Sequence, residues 1–214
     1  MLSFIENIGL ILQRYGAVFA QGLWNTLWLS FVSVFLGTFL GILVALGKLS
    51  RHKLLNGVVS TYIEIIRGTP ILLQLYFFWL ALPNILPSIS DTTCILSALV
   101  VNASAYIAEV IRAGIQAVDA GQREASLSLG MTERAIMTKV IFPQAIKNIL
   151  PALGNEVIVM IKQTSLASVF FFGELMTAYK QVQSTTFLAL EPLTISGLIY
   201  LFLTVTLSRI TRHC

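Results

Sequence analysis

The chain has 214 residues, of which 56% are hydrophobic and only 11% are charged, and its formal net charge is +4. Soluble domains carry about 25% charged residues, so this chain has too few charges to cover a water-facing globule. The composition excludes an ordinary soluble domain and predicts an all-α integral membrane protein with several spans. The positive charge does not indicate nucleic-acid binding, because the basic residues lie at the ends of apolar segments.

The first 16 residues precede the first predicted span. They contain Glu6 and Arg14 and lack the small-residue pattern of a cleavable signal peptide. Four apolar residues of this segment share one helical face, namely Leu2, Ile5, Ile8 and Leu12. The segment is therefore expected to be able to lie along the membrane interface.

Five apolar segments follow, each long enough to cross a bilayer. The predicted spans cover residues 16–47, 62–82, 92–113, 148–172 and 191–209, with boundaries uncertain by a few residues. A polar stretch, about 114–145, separates the third span from the fourth. Pro83 and Pro87 fit a turn after the second span, because proline lacks the amide that a helix needs. We find no internal repeat, so the chain is interpreted as one transmembrane domain.

The lysine and arginine residues of the connections predict the orientation. The first connection contains Lys48, Arg51 and Lys53, whereas the second contains none. The third connection and the tail are also basic, and their residues are Arg112, Arg123, Arg134, Lys139, Lys147, Arg209 and Arg212. The fourth connection contains only Lys180. This alternation predicts a cytoplasmic C-terminus and an N-terminus outside, with the first and third connections in the cytoplasm.

The polar stretch between the third and fourth spans has the signals of a short helix. Asp119 is placed to begin it, and Gly130 can end it in a left-handed conformation. Thr132 can cap a following helix, and Pro143 suits the start of the next segment. The apolar side chains inside this polar stretch favour a partner protein's groove. A helix lying on lipid headgroups is the alternative.

Neither an ATP site nor a catalytic site is predicted in the chain. The stretch from Gly41 to Leu49 differs from a phosphate-binding loop by one residue of spacing, and it lacks the hydroxyl after Lys48. His52 and His213 have no nucleophile arranged around them. Cys94 and Cys214 lack metal-ligand spacing, so no metal site is predicted.

The polar stretch resembles the EAA loop of the membrane subunits of ATP-binding cassette importers. That pattern is Glu-Ala-Ala, three residues, Gly, nine residues and Ile-x-Leu-Pro. Four residues match it at the same spacing, namely Glu124, Ala125, Gly130 and Pro143, and three are replaced by similar residues, namely Ser126, Val140 and Phe142. Four further segments resemble the polar amino-acid permeases, namely residues 62–70, 106–114, 150–156 and 162–166.

The resemblance implies a type I importer transmembrane-domain fold in the inner (plasma) membrane of a prokaryote. It implies that two permease subunits, copies or related chains, form the path, and that two ATPase subunits carry ATP and Mg. An extracytoplasmic amino-acid-binding protein would deliver the substrate. The coupling helix that contacts the ATPase would use Arg123, Glu124, Ala125, Ser126, Leu129 and Gly130.

Polar residues within the spans are candidates for the substrate path. They are Asn102, Ser104, Glu156, Lys162, Gln163, Thr164 and Ser165. Hydrogen bonding between helices is the alternative role for these residues. Two oppositely charged pairs at a spacing of three residues, Glu64 with Arg67 and Glu109 with Arg112, are predicted to be structural ion pairs.

Gly37 and Gly41 are predicted to serve helix packing within the subunit. The leading functional hypothesis is a permease subunit of an ATP-driven importer of polar amino acids. The first alternative is a secondary amino-acid carrier driven by an ion gradient, although such carriers usually show repeated halves. The second is a membrane scaffold or receptor that shares the fold without transporting.

Overall fold

The computed structural model describes residues 2–212, and within this range the protein is helical and contains no strand. The helices in chain order are α1 (Leu2–Lys48), α2 (Lys53–Gly68), α3 (Ile71–Ile85), α4 (Asp91–Gln116), α5 (Ala120–Ser128), α6 (Glu133–Ile136), α7 (Phe142–Gln163), α8 (Leu175–Thr186) and α9 (Leu190–Arg212). A π-helical turn (Met137–Ile141) precedes α7, and a 3-10 segment (Thr164–Phe170) follows it. This architecture confirms the all-α prediction.

Some residues used above for sequence-based predictions fall outside the described part. These are Met1, His213, Cys214 and the side chains of Leu2 and Arg212. The contributions of Leu2 to an interfacial face and of Arg212 to the orientation are therefore not described. The remaining basic residues of the connections lie within the described range.

Helix α1 runs without interruption through the predicted boundary at residue 16. Its first half packs on the protein, where Ile11 and Phe19 are buried in a cluster with Leu175 and Val182 of α8. Because these apolar side chains share one stripe, tertiary packing extends the helix beyond the length that a bilayer requires. One face of the segment expected at the membrane interface is thus covered by α8.

Helices α1 and α4 run parallel and approach each other closely at two glycines of α1. A Cβ atom on Gly37 would lie 2.6 Å from Cβ of Ala103, and one on Gly41 would lie 3.0 Å from Cβ of Ile107. Glycine at these positions lets the two backbones meet. The predicted role of the glycines in packing within the subunit is confirmed. The C-terminal ends of α1 and α4 consequently lie at the same end of the molecule.

The predicted second span is two helices, since α2 and α3 meet at a bend of 107°. Thr69 between them is extended, with φ −114° and ψ 143°. The ring of Pro70 disfavours the helical conformation at the preceding residue, and proline has no amide to continue the helix. Residues 62–82 therefore straddle a break rather than form one continuous helix.

A second break separates the 3-10 segment from α8, where the bend is 46°. Phe171 and Gly173 both have positive φ there, 55° and 83°. Within residues 2–212, three helices are long and apolar enough to span a membrane, and the number rises to five if each bent pair is one span. The prediction of five spans agrees with that upper number and remains a prediction.

The carboxylate of Glu174 fixes the start of α8 although it is fully buried. It accepts hydrogen bonds from the amides of Met176 (2.7 Å) and Thr177 (2.8 Å) and from the hydroxyl of Tyr200 on α9 (3.0 Å). A buried carboxylate needs several such donors to offset its lost hydration. This residue therefore joins α8 to α9.

Helix α4 lies at the centre of the molecule. Its Ile95, Leu99 and Ile107 are completely buried, and they pack in one apolar cluster with Leu29 of α1 and Leu75 of α3. Met160 of α7 belongs to the same cluster. Helix α4 is therefore packed against α1, α3 and α7 through one apolar cluster.

Candidate functional site

Helix α5 has defined local signals at both of its ends. Oδ1 of Asp119 accepts a hydrogen bond from the amide of Gly121 at 2.7 Å. At the other end Gly130 is left-handed, with φ 74°. The amide of Gly130 bonds the carbonyl of Leu127 (2.9 Å), and that of Met131 bonds the carbonyl of Ser126 (3.1 Å), which is a Schellman motif. The predicted start and glycine stop of this helix are confirmed.

Most of α5 faces outwards. Ser126 is its buried residue, and the Ser126 hydroxyl donates to the carbonyl of Gln122 at 2.7 Å. Glu124 and Ala125 are exposed, and Leu127 and Leu129 expose 44% and 82% of their surface. We call the exposed side chains of residues 123–125, 127 and 129 the α5 surface. Two exposed leucines therefore lie near an exposed carboxylate in this segment.

Arg123 of the α5 surface is engaged within the chain. It forms an ion pair with Glu133 at the start of α6, in which Nε donates to Oε2 at 3.3 Å and Nη2 donates to Oε1. About half of each side chain is exposed. The pair connects α5 with α6 across the turn at Gly130. Its spacing of ten residues is not a helical one, so sequence reasoning missed Glu133.

The charged residues near the C-terminal end of α4 form one connected group. Glu109 and Arg112 form the predicted pair, with Nη2 of Arg112 donating to Oε2 of Glu109 at 2.7 Å. Arg67 does not pair with Glu64 as its spacing predicted. It reaches across to Glu109, with Nη1 3.5 Å from Oε2, and its guanidinium lies over the ring of Tyr106.

The changed partner of Arg67 has a geometrical reason. Arg67 lies in the last turn of α2, next to the 107° bend, where its side chain can extend towards α4. The guanidinium there combines an ion pair with a contact to an aromatic face, which arginine favours. Helical spacing alone contains no information about this partner.

Asn102 joins two helices. It is 3% exposed, and its Nδ2 donates to Oε1 of Gln74 on α3 at 2.9 Å. Nε2 of the Gln74 side chain donates in turn to the carbonyls of Ile66 (2.7 Å) and Thr69 (3.2 Å), and to the hydroxyl of Thr69. The break between α2 and α3 is thus attached to α4. Gln74 was not among the predicted residues, because only the fold brings it to the freed carbonyls.

Ser104 likewise has partners within the protein. It is completely buried, its hydroxyl lies 2.6 Å from the hydroxyl of Tyr62, and it donates to the carbonyl of Val101 at 2.7 Å. For Asn102 and Ser104 the observed contacts are those of hydrogen bonding between helices. A role of either residue in the substrate path stays a prediction.

The polar residues of α7 and the 3-10 segment do not converge on one point. The buried hydroxyl of Thr164 donates to the carbonyl of Ile161 (2.8 Å), and that of Ser165 donates to the carbonyl of Lys162 (2.6 Å). Lys162 is exposed, Gln163 is half-buried, and Glu156 is half-buried and interacts electrostatically with Arg67. No hydrogen bond or ion pair joins two of these five side chains, all of which lie in the described range. Substrate contact by these residues stays a prediction.

Residues 2–212 contain no group of three or more histidine, cysteine, aspartate or glutamate side chains that could hold a metal ion.

Residues 37–214 match the family model described as binding-protein-dependent transport system inner membrane component. The arginine transport system permease protein of Bacillus subtilis (strain 168) is 39% identical over 193 residues, which are 90% of this chain and 88% of the relative. The glutamine transport system permease protein of Escherichia coli (strain K12) is 35% identical over 195 residues, 90% of this chain and 89% of the relative.

The crystal structure of an amino acid ABC transporter with histidines contains a similar chain. Its TM-score to the present fold is 0.91 at 47% sequence identity, and the match covers 95% of each chain. The two chains therefore share the helix arrangement over nearly their whole length.

Proposed function

Because this chain belongs to the family of binding-protein-dependent transport system inner membrane components, we propose that it is the permease subunit of an ATP-driven importer of polar amino acids. Relatives with this role cover about nine-tenths of the chain. The substrate class follows from their names, which specify arginine and glutamine transport. The individual amino acid is left open.

The observation that supports the proposal best is the α5 surface. A helix of nine residues is held at both ends by local hydrogen bonds and presents Glu124, Leu127 and Leu129 outwards. A helix whose ends are fixed by hydrogen bonds and whose apolar side chains are exposed is suited to bind in a groove of another protein. We propose that this groove belongs to an ATPase subunit, in which ATP and Mg are bound and hydrolysed.

The connections of α5 supply a route for coupling. Residues 117–119 join it to α4, and α6 with the π-helical turn joins it to α7. A displacement of α5 on closure of two ATPase subunits would reach both helices through these short links. Since α4 and α7 pack around the same core, we propose that the spans respond as a rigid body and alternate between inward-facing and outward-facing states.

The proposed assembly contains a second permease subunit, either a copy of this chain or a related one. It also contains an extracytoplasmic amino-acid-binding protein and lies in the inner membrane of a prokaryote. The basic connections predict an N-terminus outside and a C-terminus in the cytoplasm. The parallel arrangement of α1 and α4 is consistent with this topology, because both helices then end on one side of the membrane. The basic residues of the connections are what identify that side as the cytoplasmic one.

Reconstitution of the chain with its ATPase and its binding protein tests the proposal. We expect uptake of amino acid that requires ATP and is insensitive to a collapsed ion gradient. Glu124→Ala should reduce ATPase co-purification and uptake while membrane insertion is kept. Glu6→Ala, which removes an exposed carboxylate near the start of the chain, is the matched control. It should change neither ATPase co-purification nor uptake. Uptake that follows an ion gradient and ignores ATP would refute the proposal.

A further inference from the structure

A charged cavity opens between α1, α2 and α4 at the end of the molecule where α1 and α4 terminate. Its volume is about 470 Å³. The polar face of α2 lines one side with Asn56, Ser60, Glu64 and Arg67. The opposite, apolar face of α2 is exposed, with Leu54 at 72%. The cavity is polar because the amphipathic helix α2 turns its polar face towards it.

Glu64 and Arg67 line this cavity without pairing with each other. Their spacing of three residues permits an ion pair, yet Glu64 has no hydrogen bond or ion pair within the described chain. Arg67 has one ion pair, at 3.5 Å, and its side chain is 44% exposed. A guanidinium carries five N–H donors, so most of those of Arg67 are available to a ligand.

The other charged groups of the cavity differ in availability. Arg112 is occupied, because it bonds both carboxylate oxygens of Glu109 and also the side chain of Gln116. Lys48 donates to the hydroxyl of Ser60 and retains two further donors. The cavity therefore offers a free carboxylate and two cations with spare capacity.

We propose that this cavity binds a zwitterionic α-amino acid, with Arg67 and Lys48 receiving its carboxylate and Glu64 receiving its ammonium group. This inference rests on the proposed function. It adds to that function an exit site for the amino acid at the predicted cytoplasmic end of the molecule. Both charges of a zwitterion must find partners when water is displaced, and a site with one sign of charge would leave the other unpaired.

The same chemistry occurs in a lipid headgroup that combines a phosphate with an ammonium group. Lipid that covers the exposed apolar face on the other side of α2 would bring its headgroups near the cavity. The experiment therefore has to separate a soluble amino acid from such a headgroup.

The test uses the assembled permease–ATPase complex without binding protein, in nanodiscs of phosphatidylglycerol, which has no ammonium group. Calorimetric titration with L-arginine and L-glutamine should show binding. Glu64→Gln and Arg67→Gln should each weaken it about 10- to 100-fold, the effect of losing a charged hydrogen bond. Arg67→Lys should lose less than Arg67→Gln. Arg51→Gln, a basic residue outside the cavity, should bind as the unchanged complex does.

Analogues identify which group each residue contacts. Agmatine, which lacks the carboxylate of arginine, should be insensitive to Arg67→Gln. Nα-acetyl-L-arginine, which lacks the ammonium charge, should be insensitive to Glu64→Gln. Exchanging both charges, Glu64→Arg with Arg67→Glu, should restore part of the zwitterion binding that either single exchange removes.

Several results would overturn the inference. Equal affinity of the variants and the unchanged complex would exclude the cavity, and tighter binding of O-phosphoethanolamine than of either amino acid would assign it to lipid. Retained ATPase co-purification and basal ATP hydrolysis show that the variants are assembled. If the unchanged complex shows ATP-driven uptake and the variants bind the amino acids as tightly as it does, only this inference fails. If the unchanged complex shows no ATP-driven uptake, the proposed function fails.

Discussion

The side-chain amide of Asn102 donates a 2.9 Å hydrogen bond to Gln74, whose own amide satisfies the carbonyls of Ile66 and Thr69. We expect Gln74→Leu to lower the free energy of unfolding by about 1–3 kcal/mol, because the partly buried carbonyls of Ile66 and Thr69 are left without their donor. Asn102→Leu should cost less, about 0.6 kcal/mol, the typical value for one bond between membrane helices. Thermal unfolding in nanodiscs measures both changes. Equal costs for the two variants would show that the freed carbonyls have other donors.

Gly37 is predicted to tolerate no side chain. A Cβ atom there would lie 2.6 Å from Ala103, so Gly37→Ala should destabilise the protein by about 1–3 kcal/mol through overpacking. Gly9→Ala is the control, because its Cβ would meet no atom within 4 Å. Combining Gly37→Ala with Ala103→Gly should recover much of the loss in thermal unfolding. A neutral Gly37→Ala variant would contradict the close approach of α1 and α4.

Gly130→Ala tests the end of α5. An alanine at φ 74° costs about 1–2 kcal/mol, so the Schellman turn should open more often. Hydrogen exchange of the Met131 amide should accelerate, and ATPase co-purification should weaken. Gly57→Ala, in the helical part of α2 with nothing within 4 Å, is the matched control and should leave both unchanged. Unaltered exchange at Met131 would mean that the turn does not depend on glycine.

Tyr200→Phe removes one donor from the buried carboxylate of Glu174 and leaves its size nearly the same. We expect a loss of about 1.5–3 kcal/mol, the range for hydrogen bonds to charged groups. Tyr179→Phe on α8 is the control, since the Tyr179 hydroxyl makes no hydrogen bond within residues 2–212. Near-equal melting temperatures of the two variants would contradict a role of Tyr200 in holding α8.

Local signals in the sequence predicted the ends of α5 correctly. Asp119 and Gly130 act on backbone groups within five residues of themselves, so their effect can be inferred without the fold. The pair of Glu109 and Arg112 was predictable for the same reason, because one helical turn brings the two side chains together.

The partners of Arg67 and Gln74 could not be predicted in this way. Both lie beside the break between α2 and α3, and the 107° bend decides which helix each side chain can reach. Pro70 indicated a disturbed helix, but neither the angle nor the approach of α4 follows from a proline. Contacts between distant segments depend on the assembled core, and for this reason the sequence-based prediction of the Glu64–Arg67 ion pair failed.

Helix α1 is unbroken from Leu2 to Lys48. Its 47 residues correspond to about 70 Å at 1.5 Å per residue. One end is packed against Leu175 of α8, whereas Ala45 near the other end lies in a cluster with Ile63 of α2. Because no break separates these two clusters, we expect α1 to transmit a displacement along its axis from one end to the other. Spin labels at Gln13 and Leu46 should keep one separation in every nucleotide state. Two distinct separations would show that α1 bends.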